Sequence, residues 1–112
     1  MEIWVEFNGK DWRTTPDPAV VKRGELVSWR FQANGVHNRP IRWLIYFDKR
    51  SPFGRQGNRL STTTVPRSDQ HVGMTEAKAA DEPGEYKYGV RAEDLQEEVT
   101  LGDDDPRLIV MP

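Results

Sequence analysis

Residues 84–90 read Gly84-Glu85-Tyr86-Lys87-Tyr88-Gly89-Val90. Tyr86, Tyr88 and Val90 alternate with Glu85, Lys87 and Gly89, the period-two pattern of a strand with one face in a core. The turn signal Asp81-Glu82-Pro83-Gly84 leads into it, and the pattern carries on to Arg91. A second segment, Val21 to Phe31, has the same character. Arg23-Gly24-Glu25 turns the chain, after which Val27, Trp29 and Phe31 share one face and Ser28 and Arg30 the other. Such alternation describes a half-buried antiparallel strand.

Working outward, Ile3, Val5 and Phe7 alternate with Glu2, Trp4 and Glu6 in a first strand, closed by the turn residues Asn8-Gly9-Lys10. Pro16-Asp17-Pro18 breaks the chain after Trp12, and Ala19 to Lys22 is a short strand. Ile41 to Phe47 is apolar at every position except Arg42, which predicts a central strand covered on both faces. Leu60 to Val65, His71 to Ala77 and the terminal Pro106 to Val110 complete the set. Glu76 to Ala80 is too short for a helix to persist alone, and Ala92 to Glu98 is expected as a loop or single turn. Short strands separated by Gly and Pro turns predict an all-β Greek-key sandwich of about seven or eight strands, in one domain spanning residues 1–112.

Composition narrows the function classes. The 112 residues include four Trp, four Phe and three Tyr, too many aromatics for a disordered chain. There is no cysteine, so disulfides and thiolate chemistry are excluded. No apolar run is long enough for a membrane-spanning helix. No charged segment followed by an apolar stretch precedes the first strand pattern, from which cytoplasmic residence is expected. A net charge of -2 supplies no general field for nucleic acid, which is not an expected partner.

The two signature segments together resemble those of cupredoxins. In that family a Gly-Asp-x-Val-x-Trp/Phe strand is matched here by Gly24, Glu25, Val27 and Trp29. A Gly-x-Tyr-x-Tyr/Phe-x-Cys strand is matched by Gly84, Tyr86 and Tyr88, with Val90 standing where the copper thiolate would be. The resemblance implies one histidine ligand after the first strand, where His37-Asn38 stands, and a second histidine and a methionine in a tight loop after the cysteine. That stretch here is Arg91 to Glu98 and contains neither. A blue-copper centre needs two imidazoles and a thiolate in trigonal array, so a cupredoxin-like sandwich without its copper site, and without a cofactor, is expected.

Other constellations are weaker. His37 and His71, the two histidines, could pair on a metal, but far apart in sequence and without thiolates they are a weak metal signal and read first as a loop residue and a packed strand residue. Asp103-Asp104-Asp105 lacks the spacing of a calcium loop and reads as an acidic turn before Pro106. No Cys–His pair, Gly-x-Ser-x-Gly or phosphate-cradling glycine loop occurs, so an enzyme is not expected.

Charge is unevenly distributed. Arg39, Arg42, Lys49, Arg50, Arg55, Arg59 and Arg67 face a single acid, Asp48, over their span, whereas acids dominate from Asp81 to Asp105. The two segments either attract separate partners or neutralise each other within the sandwich. Within the basic span, Lys49 to Arg55 places Phe53 between arginines on a loop, a composition enriched at interfaces. The resulting expectation is a non-catalytic protein-binding module using Arg50, Phe53, Arg55 and Arg59, with Trp12 as a further exposed aromatic. Phe53 capping the core is the competing reading of that residue. A metal-handling or electron-transfer protein built around His37 and a self-assembling structural subunit are the alternatives.

Overall fold

The computed structural model describes residues 1–34, 39–54, 58–68, 70–97 and 99–112. Their regular structure is entirely β. In chain order the strands are β1 (Glu2–Phe7), β2 (Trp12–Thr15), β3 (Ala19–Lys22), β4 (Leu26–Asn34), β5 (Ile41–Tyr46), β6 (Arg59–Thr64), β7 (Gln70–Met74), β8 (Lys78–Ala79), β9 (Gly84–Lys87), β10 (Gly89–Asp94), β11 (Val99–Asp104) and β12 (Arg107–Met111). The twelve segments exceed the expected seven or eight because long strands divide where they change sheets and because short ribbons such as β8 flank the main ladders.

One sheet runs β2-β1-β4-β7 with β8 also on β4, a second runs β11-β10-β5-β6, and a third runs β3-β12-β9. The β1–β4 and β3–β12 pairs are parallel; every other ladder is antiparallel. The sheets enclose one core, in which Trp29, Trp43, Phe31 and Tyr88 are the largest fully buried side chains. Alternation in β4 drives this packing, since Val27, Trp29 and Phe31 all point inward.

The rings form two groups along a body 43 × 22 × 20 Å in extent. At one end Phe31 stacks on Trp43 at 5.0 Å, and Trp12 stacks on Phe7 at 4.3 Å and meets Trp43 edge-on at 6.2 Å. At the other, Tyr88 lies 5.4 Å from both Trp29 and Phe47. Each buried indole N–H finds an acceptor, Trp29 Nε1 donating to the Tyr88 hydroxyl at 3.2 Å and Trp43 Nε1 to Thr64 Oγ1 at 2.8 Å. Such pairing removes the cost of burying an unsatisfied donor.

Several strand expectations shift in detail. Only Ile41, Trp43 and Ile45 of β5 are fully buried, while Leu44 and Tyr46 are half-buried on an outer face with Arg42. The expected single strand from Glu85 to Arg91 divides at Tyr88, although Tyr86, Tyr88 and Val90 are all buried as expected. Ala92 to Asp94 continues β10, leaving Leu95 to Glu97 as the turn. Asp103 and Asp104 close β11 opposite Arg91 and Val90 rather than forming a free acidic turn. Their carboxylates are accommodated by Arg91 at 4.0 Å and by the Thr14 hydroxyl, which donates to Asp104 Oδ2 at 2.9 Å.

His71 is fully buried on β7, its Nδ1 2.9 Å from the same Thr64 hydroxyl that serves Trp43. Thr64 therefore joins β5, β6 and β7 through one oxygen. Thr64→Val, similar in shape but without the hydroxyl, is expected to cost about 1–3 kcal/mol by stranding the Trp43 N–H. The check is a lower urea midpoint with an unchanged slope.

Candidate binding cleft

The strand change at Tyr88 creates the most distinctive surface feature. β10 pairs with β5 from Asp94 opposite Ile41 up to Gly89 opposite Tyr46. There the ladder ends. Upstream of Tyr88 the chain runs as β9 alongside β12, while Phe47 and the residues after it follow another course, the Phe47 N–H donating to the Asn58 carbonyl at 2.8 Å. The two arms enclose a cleft of about 380 Å³, walled by Glu85 to Gly89 on one side and by Tyr46 and Asp48 to Arg50 on the other.

Close packing fixes the apex. A Cβ on Gly89 would collide with the Tyr46 ring, so the absence of a side chain there is what lets the ring lie across the strand. Arg91 covers the same ring, its guanidinium 5.1 Å from the centroid. Along the wall, Arg50 sits 4.9 Å over the Tyr86 ring. Gly84 adopts φ +148°, and a Cβ there would lie 2.8 Å from Arg50 Nη2. Arg50 is thus held by aromatic contact, and among the described residues it makes no ion pair; the same is true of Lys49. By contrast, Lys87 lies 3.6 Å from Asp105 and Glu85 lies 3.1 Å from Arg107. The carboxylates of Glu85 and Asp105 are therefore already answered.

Burial pushes the Tyr86 hydroxyl above the usual tyrosine pKa, with Arg50 pulling back and Glu82 adding to the rise. Its O–H donates to the Glu82 carbonyl at 2.8 Å. Tyr88 is raised further, again chiefly by burial and against the stabilising Trp29 N–H.

The residues singled out in the sequence separate in space. Arg50 lines the cleft, and Arg59 is the cross-strand neighbour of Tyr46, so the two share the outer face of the β5–β6 ladder. Phe53 is half-buried, its ring packed against the core 5.9 Å from Trp29 and 5.8 Å from Phe47, where it caps the sandwich from its loop. Trp12 belongs to the opposite ring group, stacked on Phe7. Arg55 and His37 lie outside the described residues. The free edge of β9 and the contribution of Tyr46 went unseen in the sequence, because both depend on where β9 parts from β5. The adjacent cations Lys49-Arg50 were the one local signal.

The segregated charges neutralise one another in part. Arg39 contacts Asp94 at 2.8 Å and Glu97 at 2.7 Å, and Arg42 contacts Glu93 at 3.1 Å. These pairs join the basic and acidic segments across β5 and β10.

No family model matches the chain, and no curated protein matches it. Among solved structures, auracyanin A from Chloroflexus aurantiacus, a "blue" copper protein, is similar with a TM-score of 0.53 and 13% identity, over 98% of each chain. Auracyanin B is similar with a TM-score of 0.52 and 11% identity, over 99% of this chain and 88% of that one. The fold is therefore a cupredoxin-like β-sandwich. The residues at the expected metal corner do not fit copper. Val90 is fully buried and aliphatic, with no lone pair to donate, and it faces Ile45 and Asp104 across its two ladders. In place of a tight ligand loop the chain builds the β10–β11 hairpin. Among the described residues no group of three or more His, Asp or Glu side chains is arranged to hold a metal.

Two measurements check this geometry. Gly89→Ala should destabilise the fold, and much less so in a Tyr46→Ala background, giving a coupling of about 0.5–3 kcal/mol in a double-mutant cycle. The second concerns alkali. The unfolded chain releases the Tyr88 proton near pH 10 while the folded one retains it. Stability from this group is thus whole below pH 10 and declines as pH rises above it. In Tyr88→Phe, urea midpoints should be lower at neutral pH, because Trp29 loses its acceptor, but should fall less steeply in alkali.

Proposed function

We propose that the protein is a non-catalytic binding module that holds an acidic group of a protein partner in the cleft between β9 and the segment after β5. The observation that carries this reading is the pair of cations, Lys49 and Arg50, which make no ion pair among the described residues beside the half-buried Tyr46 ring, while Glu85, Lys87 and Asp105 across the cleft are matched. A guanidinium already seated on a ring loses little conformational freedom on binding a carboxylate, which favours its use as a recognition group. Arg59, beside Tyr46, extends the basic rim. The test is a pull-down from native lysate with wild type and the Lys49→Glu, Arg50→Glu double variant. Capture by wild type alone is expected, with thermal stability changed by no more than about 1 kcal/mol, since exposed charges and a single cation–π contact contribute little. Equal capture by both proteins would remove the cleft from the reading.

A further inference from the structure

The wall of the cleft formed by β9 is a free strand edge. In the β9–β12 ladder the Tyr88 N–H donates to the Pro106 carbonyl at 3.2 Å, and Tyr86 and Gly84 stand opposite Leu108 and Val110. The Arg107 N–H is turned the other way, donating to Asp17 Oδ1 at 3.0 Å. Main-chain groups of an antiparallel strand alternate between its two sides. Tyr86 and Gly84 therefore direct their N–H and C=O groups to β12, and Glu85 and Lys87 direct theirs away from it, into the cleft. Among the described residues neither Glu85 nor Lys87 has a main-chain hydrogen-bond partner on that side. Two donor–acceptor pairs spaced two residues apart are what an added strand requires.

We infer that the cleft takes its partner by strand addition, an extended acidic peptide segment pairing with Glu85 and Lys87 of β9 while its carboxylate meets Lys49 and Arg50. The inference rests on the binding-module reading above and adds the mode of recognition. Charge selects the occupant. A second copy of this chain pairing edge to edge would bring a second Lys49–Arg50 pair toward the first, and like charges oppose that arrangement. An acidic segment instead supplies the counter-charge that Asp48, the one unmatched acid of the wall, does not provide in full.

The test uses the synthetic peptide Glu-Val-Thr-Val-Thr-Val-Glu, a copy with lysine for both glutamates, and a copy N-methylated at alternate residues. Binding to the whole protein is followed by NMR titration and by amide exchange. The acidic peptide is expected to bind and to slow exchange at the Glu85 and Lys87 amides, with the lysine copy and the methylated copy both weaker. Lys87→Pro removes one edge donor without touching the β12 ladder, and should weaken binding roughly five- to tenfold relative to Lys87→Ala. Equal affinity of the plain and methylated peptides, with no protection at Glu85 and Lys87, overturns strand addition; sensitivity to Arg50→Glu in that case would leave the binding-module reading standing. No difference between the acidic and lysine peptides would overturn both. Protection at these amides that rises with protein concentration and needs no peptide would make the occupant a second copy and overturn the inference. Should Lys87→Pro fail to fold, the methylated peptide decides alone.

Discussion

A single peptide unit at Tyr88 has to serve two sheets. Before it the chain is hydrogen-bonded to β12, and after it to β5 and β11. The side chain that holds this junction is the Tyr88 ring, nearly fully buried between Trp29 and Phe47 with its oxygen taking the Trp29 N–H. An aromatic with one polar atom suits the position, because it fills a large volume and still satisfies a donor from the facing sheet. If the junction moved by one residue, the period-two pattern would send Tyr86 and Val90 outward and the charged Glu85 and Lys87 inward. The register of β9, β10 and β12 is consequently set together, and the fork between β9 and β5 is a by-product of that setting.

Glycine makes the fork tight. At Gly89 the Tyr46 ring occupies the space a side chain would need, so β5 and β10 part abruptly instead of fraying over several residues. At Gly84 the backbone enters β9 with a positive φ that other residues rarely adopt, beside the Arg50 guanidinium. Rigid walls matter for a binding surface, since a pre-formed edge loses less entropy when a partner orders against it.

The sequence was read well where one face of a strand meets the core. Trp29, Phe31, Tyr86, Tyr88 and Val90 were assigned to the inside by alternation alone, and the burial of each agrees. The β-sandwich was legible for the same reason, and its cupredoxin-like type through the resemblance of the two signature segments to that family's motifs. What escaped was set by long-range pairing. Arg42 on β5 and Glu93 on β10 are unremarkable singly, yet they stand opposite each other and make a charged residue acceptable on a strand. Phe53 could be read as an exposed anchor or a core cap with equal local justification, and its packing on Trp29 and Phe47 depends on long-range placement that the local sequence does not carry. The free edge of β9 has no local signature at all. It is defined by which strand does not pair there.

The β10–β11 hairpin accounts for how a cupredoxin-like frame loses its metal corner and remains a folded unit. A ligand loop of the kind the resemblance implies would place polar donors near Val90, and their desolvation would be offset by the metal. Here the inward positions Val90 and Ala92 are apolar and extend the core, so that offset is not needed. The outward positions carry Arg91, Glu93 and Asp103, matched by ions across the ladder. Exposed pairs of this sort stabilise little, and their effect is to leave that face electrically quiet. At the opposite end of β10, Lys49 and Arg50 border the cleft and make no ion pair among the described residues. The same strand therefore separates a paired, neutralised surface at one end from the proposed recognition cleft at the other, and the point of separation is the sheet change at Tyr88.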